Sequence, residues 1–326
     1  MRHFLFEFIT GGGLSDLALS ETLIEEGEIM VQTLLKELGE LDNSSISLTR
    51  DSRLSLFENE AEQYVINGRV EDKLPEFIKA SEVSWLIAPE TDNCLSDYAE
   101  LFIKYGKIFI GSSPEAIKIA TSKRLTNKKL AAAGINVVET KLLSEEKPKS
   151  NSAWVVKPDD GVGGEGAFII NNEKDLDELL AEEGAENLII QPYIEGKHMS
   201  MSLLVFNGDV RLLACNKQYI DIDNGVIKLK AIGVNEYLSY KNEMLELAKN
   251  IVSVISGFAG YIGVDLIAAD NELYVLEVNP RFTTAYAGIS ESIGCNVTAN
   301  ILNTFINKKI PDIDLTNAMP VKIKVY

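Results

Sequence analysis

Two groups of residues in this chain have the types and spacings to do chemistry. The first lies in residues 154–170, where Lys157 precedes a glycine-rich loop and Gly161, Gly163 and Gly166 spell G-x-G-x-x-G. In a βαβ unit that spacing marks a dinucleotide turn, with the pyrophosphate on the N-terminus of the following helix. Here the loop runs instead into Ala167-Phe-Ile-Ile170, an apolar run that ends at Asn171-Asn172 and reads as a strand. The dinucleotide reading therefore fails for want of its helix. A glycine flap between two antiparallel strands can still hold phosphate through its backbone N–H groups. Lys157 at its base would supply a fixed positive charge. The plainer alternative is a glycine-rich hairpin with an exposed lysine.

The second group lies in residues 261–281. A polar turn centres on Asn271, with Asp265 and Glu277 six positions to either side. A register symmetric about that turn makes them cross-strand partners, and Asn279 shares the face of Glu277. Like charges placed opposite each other destabilise a sheet, and both sit among Val, Leu and Ile. A bound divalent cation resolves the conflict. Two carboxylates and an amide oxygen suit Mg²⁺, which completes its shell with water and phosphate oxygens. A register slipped by one residue would instead put the two carboxylates on opposite faces.

The elements that must position these groups are coarsely legible. Residues 4–9, 83–88 and 107–110 read as strands alternating with helices, one of them capped by Ser20, which predicts a small parallel α/β unit. Ser113-Pro114-Glu115 and the stretch 123–133, closed by Gly134, read as helices. Residues 172–182 predict a helix and 187–191 a strand. Asn207-Gly208 and Asn224-Gly225 predict hairpins, and 240–258 an amphipathic helix. The chain divides into an N-terminal α/β domain over 1–112, a central lobe with the flap over 113–190 and a C-terminal lobe with the metal site over 191–326.

Composition narrows the function. The 326 residues are 46% hydrophobic and 25% charged, ordinary for a folded protein with a sizeable core. The net charge of −18 argues against nucleic acid as a partner. No apolar run is long enough to span a bilayer. Cys94, Cys215 and Cys295 have no paired spacing, which favours a reducing cytoplasm over a disulfide framework. In so acidic a protein an anion site must be built locally, from a few lysines, backbone N–H groups or a metal. With His3 and His198 as the two histidines, acid–base machinery built on histidine is scarcely available.

Together these residues resemble the ATP-grasp superfamily. The resemblance covers about residues 113–305 and is most specific at Gly263-Val-Asp265, at Leu276-Glu-Val-Asn-Pro-Arg281 and at Lys157-Pro with its flap. It implies an ATP-grasp fold of α/β and α+β parts, in which a pre-ATP-grasp domain precedes two lobes that clamp ATP. It further implies that Lys123 and Lys157 contact phosphates, and that Gly161, Gly163, Gly164 and Gly166 cover them. Gln191, Tyr193 and Ile194 would form the hinge that reads adenine. His198 stands where many members bind ribose through a glutamate. Asp265, Glu277 and Asn279 would hold Mg²⁺, with Mn²⁺ as a substitute, and Arg281 would sit near the transferred phosphoryl or acyl group.

Most such enzymes join a carboxylate to an amine through an acyl phosphate, with small-molecule partners; a homodimer is compatible with this. The opening residues 4–13 and 25–30 are similar to the tyramine–L-glutamate ligases of methanofuran biosynthesis, which implies glutamate and tyramine as acid and amine. Arg281 and Lys217 are the candidate cations for such an acid, and Phe282, Tyr286 or Tyr219 the candidates against a tyramine ring; core packing is the competing role for each aromatic. A ligase for other amino acids or dipeptides, and a nucleotide-binding regulator without turnover, are the rival readings.

Overall fold

The computed structural model describes every residue except 16, 146–152, 162–165, 182–183 and 326. A five-stranded parallel sheet forms the N-terminal part: β1 (Arg2–Glu7), β2 (Ser45–Asp51), β3 (Glu62–Ile66), β4 (Val83–Ile87) and β5 (Ile108–Ile110), in the order β3-β2-β1-β4-β5. The crossovers carry α1 (Glu21–Gly39), α2 (Leu74–Ala80) and α3 (Cys94–Tyr105). Strands β1 and β4 are buried along nearly their whole length because helices cover both faces of such a sheet. The strand order reverses between β1 and β4, so their carboxyl ends open the crevice where α/β sheets present functional groups. Strands β2 and β3 escape the sequence reading. Their sequences SISLTRD and EQYVI carry too many polar residues to stand out.

The rest of the chain builds a second, antiparallel system. After α4 (Pro114–Thr121) and α5 (Lys123–Ala132) come β6 (Lys141–Leu142), β7 (Trp154–Pro158), β8 (Phe168–Ile170), α6 (Glu173–Leu180) and β9 (Leu188–Pro192). Next are β10 (Lys197–Phe206), β11 (Asp209–Asp223), β12 (Val226–Val234), α7 (Lys241–Val254), β13 (Gly260–Ala269) and β14 (Glu272–Asn279). The chain closes with α8 (Ile289–Ile293), α9 (Val297–Asn307) and β15 (Val321–Lys324). The path β14-β13-β10-β11-β12-β8-β7-β9-β6 makes one ten-stranded sheet with β15 beside β12. A single pair, Val226 with Phe168, joins its two halves. Strands β7 and β8 are antiparallel with Trp154 opposite Ile170, so a strand does follow the glycine loop.

Local chemistry sets the turns. Asn207 and Gly208 have φ of 52° and 85°, and Asn224 and Gly225 have 51° and 82°, the left-handed pair that a type I′ hairpin demands. Ser113 and Ser122 cap α4 and α5 through side-chain oxygens. Ser20 takes the extended N-cap conformation of α1 but makes no side-chain capping bond.

The two sheet systems share a core in which Leu5, Leu34 and Trp85 pack in one cluster with Phe282, Tyr286 and Phe305. A polar joint reinforces it. Glu37 of α1 is buried, and its Oε2 accepts hydrogen bonds from Tyr286 Oη (3.0 Å) and from Thr298 N (3.0 Å) and Oγ1 (2.5 Å). A buried carboxylate is tolerated there because its donors replace the water it gave up.

His3, in the centre of the parallel sheet, is also buried, and its Nδ1 accepts from the Trp85 indole N–H at 3.2 Å. Burial, helped by the nearby N-terminal ammonium, lowers its pKa to about 4. The unfolded chain titrates near pH ~6.5, so the contribution is complete above that pH and is lost as pH falls toward the folded value. Replacing His3 by Gln is expected to flatten the loss of stability between pH 7 and 4.5 by about 2 kcal/mol, read from denaturant unfolding at both pH values.

Candidate functional site

One large cleft, about 1380 Å³ with its open mouth included, lies between the two halves of the antiparallel sheet. Its reactive end is built on the β13–β14 hairpin, where Asp265 is paired with Glu277 as expected. The route to that pairing differs from a symmetric turn at Asn271. The tip is a two-residue turn, with Asp270 and Asn271 both left-handed (φ 51° and 62°), and Ala269 faces Glu272. Continued unbroken, that register would set Leu276 opposite Asp265 and turn Glu277 to the other face. A bulge between Asp265 and Leu266 shifts the ladder by one residue and restores the carboxylate pair.

The pair is buried and compensated unequally. Lys123 Nζ lies 3.5 Å and Lys157 Nζ 3.6 Å from Glu277 Oε2. Burial alone would raise the Glu277 pKa, but the two lysines outweigh it and lower it to about 2. Burial and the neighbouring Glu277 charge push Asp265 up to about 8. Burial likewise lowers Lys157, against the pull of Glu277. A buried carboxylate pair in which one member is pushed toward its protonated form is a place where a divalent cation would offset the charge. Among the described residues no three acidic, His or Cys side chains converge on one point. Asp265, Glu277 and an amide oxygen of Asn279 therefore leave most of a cation's shell to water or phosphate, which fits an oxygen-loving divalent ion. Asn279 Nδ2 stands 3.5 Å from Asp265 Oδ2; presenting its oxygen needs only an amide flip.

Each lysine is placed by its element. Lys157 ends β7. Lys123 opens α5, whose N-terminus is closed by Asp159 just after β7: Asp159 Oδ1 accepts from Arg124 N (2.8 Å) and Oδ2 from Ser122 Oγ (2.6 Å). Lys123 Nζ also donates to the carbonyls of Asp159 (3.2 Å) and Gly161 (2.6 Å).

Most of the predicted residues come together. Gly161, Gln191, Tyr193, Ile194 and His198 line the same cleft as the lysines, the carboxylates, Asn279 and Arg281. The Tyr193 N–H is committed to the Ala153 carbonyl at 2.9 Å and so is not available to a base. Gln191 is buried and donates to Thr140 Oγ1 at 2.8 Å, so its amide oxygen faces other uses. His198 is half-buried, and burial lowers its pKa, which favours a neutral ring that can bond a hydroxyl. Gly166 has φ 70° at the end of the loop. Gly163 and Gly164 lie outside the described residues.

Lys217 does not join them. It is next to Gln218, and adjacent residues on a strand face opposite sides. Gln218 takes the cleft side and donates to Asp265 Oδ1 at 2.9 Å. Lys217 pairs with Glu236 at 3.1 Å on the other side, where Tyr219 Oη also bonds Glu236. Phe282 and Tyr286 are core residues. None of the three aromatics proposed for a ring pocket lines the cleft.

Three residues missed in the sequence complete the site. The alternation along β11 could have pointed to Gln218. Glu26 of α1 lines the cleft, and Glu90, just after β4, receives the Arg281 guanidinium at 2.8 Å. Glu90 and Arg281 are 191 positions apart, and no local pattern joins them. Burial alone would lower the Arg281 pKa, and the Glu90 charge raises it instead.

Comparison with known proteins agrees with this geometry. A family model described as an ATP-grasp domain matches residues 120–285, and a pre ATP-grasp 3 domain matches 44–117. The chain is 32% identical over 289 residues to the tyramine–L-glutamate ligase of Methanocaldococcus fervens, covering 87% of this chain and 88% of that one. It is 30% identical to the enzyme of the same name from Methanocaldococcus jannaschii, over 87% and 83%. Among solved structures, a protein from Archaeoglobus fulgidus assigned to the ATP-grasp superfamily superposes with a TM-score of 0.74 at 25% identity, covering 99% of this chain and 92% of that one. The L-amino acid ligase of Bacillus licheniformis, at 16% identity and TM-score 0.68 over 94% and 74%, shares the fold.

If Gln218 orients Asp265, removing its amide will weaken cation binding. Gln218→Leu is expected to raise the Mn²⁺ dissociation constant by about 10-fold in calorimetric titration; an unchanged constant would deny it that role.

Proposed function

Because the chain belongs to the ATP-grasp family and is an ATP-dependent carboxylate–amine ligase, we propose that its acid is L-glutamate, its amine tyramine and its metal Mg²⁺, with Mn²⁺ as a substitute. The near-full-length similarity to two tyramine–L-glutamate ligases carries the substrate assignment. The carboxylate pair under two lysines supports the chemistry.

On this reading the base of ATP lies against Gln191, the Tyr193 carbonyl and the Ile194 N–H, and its ribose near His198. Lys123 and Lys157 neutralise the phosphates, and Asp265, Glu277 and Asn279 would hold the metal, which supplies charge stabilisation to the transferring phosphoryl group. The γ-carboxylate of glutamate attacks the γ-phosphate, which leaves ADP and an acyl phosphate. The ammonium gives up a proton to solvent, the free amine adds to the acyl carbon, and the tetrahedral intermediate expels phosphate as the nitrogen loses its second proton. Arg281 lines the cleft beside Glu90 and would stabilise the oxyanion of that second step. No protein nucleophile is required. Glu26 is the carboxylate that α1 presents to the cleft, and its charge suits the ammonium of the incoming amine.

The test is a coupled assay with ATP, Mg²⁺ and pairs drawn from a panel of amino acids and amines. Equal amounts of ADP and γ-glutamyltyramine are expected from glutamate and tyramine. A different preferred pair would correct the substrates, and tight ATP binding with no turnover for any pair would favour a regulator. Glu277→Gln should lower kcat by about 100-fold or more while the fold is retained; near-wild-type turnover would remove it from the metal site. Glu26→Gln should raise the KM for amine about 10-fold with the KM for ATP unchanged.

A further inference from the structure

Three consecutive residues of the N-terminal part touch both halves of the reaction centre. Glu90 is 5% exposed, and its Oε2 accepts from Arg281 Nε at 2.8 Å. Thr91 Oγ1 donates to the carbonyl of Asp160 at 3.3 Å, and the Asp92 N–H donates to Asp160 Oδ2 at 3.1 Å. Asp160 sits between Asp159 and Gly161, whose carbonyls receive Lys123 Nζ. A short bonded path thus runs from the arginine through residues 90–92 to the turn that seats the lysine.

The segment is shaped for this. Asp92 and Asn93 are both left-handed, with φ of 55° and 61°, a conformation that Asp and Asn tolerate better than other residues with a side chain. Leu95 N donates to the Pro89 carbonyl at 2.9 Å and closes the loop on itself. The other carboxylate oxygen of Glu90, Oε1, is buried without a hydrogen-bond partner among the described residues. A buried charge with one orphaned oxygen is a poor way to gain stability. Its return is geometric: a guanidinium held in one orientation.

We propose that Glu90, Thr91 and Asp92 are positioning residues, a brace that holds Arg281 at a set separation from the phosphate-side lysine Lys123. The proposal rests on the ligase reading above for its functional meaning. The acyl phosphate made on the lysine side must meet Arg281 in register, and small misplacements of reacting groups carry large kinetic costs. Without the brace, ATP is still bound and cleaved, but the acyl group is presented badly to the amine and is lost to water.

The test combines Glu90→Gln, Asp160→Ala and the double variant. Glu90→Gln should lower kcat for ligation by about 100-fold and Asp160→Ala by about 10-fold, with more than one ADP released per product. The KM for ATP should stay within about twofold. If both act through one brace, the double variant is no worse than Glu90→Gln by more than about twofold. Fully multiplicative losses would overturn the proposal. A second measurement needs no turnover: phenylglyoxal labelling of Arg281, followed by peptide mass spectrometry. Asp160→Ala alters a half-buried side chain that does not touch Arg281, yet it should raise the labelling rate several-fold. An unchanged rate in the folded variant would overturn the brace, and decides the matter if Glu90→Gln does not fold. A wild-type protein that joins no glutamate to tyramine, alongside faster labelling in Asp160→Ala, would remove the substrate reading and leave the brace standing.

Discussion

The structure turns on two carboxylates forced to face each other inside a sheet. Asp265 and Glu277 would repel, and burial makes each alone costly. What makes the arrangement tenable is that both lysines converge on Glu277, while burial and the Glu277 charge push the Asp265 pKa up. On the proposed reading a divalent ion would be held by Asp265, Glu277 and Asn279, and phosphate oxygens would compete with Glu277 for the two lysines.

The rest of the molecule supplies the parts of this balance from distant places. Lys157 comes from β7 and Lys123 from α5, and the two are locked together because Asp159 caps the helix that carries Lys123. Gln218 reaches Asp265 from β11. The N-terminal sheet contributes Glu26 and Glu90 from the carboxyl-terminal side of the β1–β4 switch point. The joint at Glu37 and the shared apolar core hold that sheet against the C-terminal helices.

The parts of the site legible in sequence were those carried by short-range pattern. Asn-Gly turns announced two hairpins, and apolar residues after Gly166 announced the strand that excluded a dinucleotide turn. The acidic pair was found through a symmetric turn that the chain does not use. A type I′ tip and a bulge, each shifting the register by one, compensate and arrive at the same partners. Lys217 was misplaced because charge and proximity in sequence say nothing about strand parity, which sends its neighbour Gln218 into the cleft. The aromatics proposed for a ring pocket went to the core or the outer face, as burial of large apolar area favours.

By itself the sequence determined the residue types: two carboxylates and an amide on one hairpin, two lysines, a glycine-rich loop between strands and a surplus of negative charge that forced any anion site to be local. Those are properties of composition and of spacing over a few residues, and they survive any uncertainty about how distant segments meet. The tertiary structure alone decided the pairing of Arg281 with Glu90, the entry of Gln218 and Glu26 into the cleft and the meeting of both lysines on one carboxylate oxygen. These contacts join segments tens to hundreds of residues apart. Their geometry comes from sheet order, bulge position and the packing of two sheet systems on one core, none of which leaves a local trace in the chain.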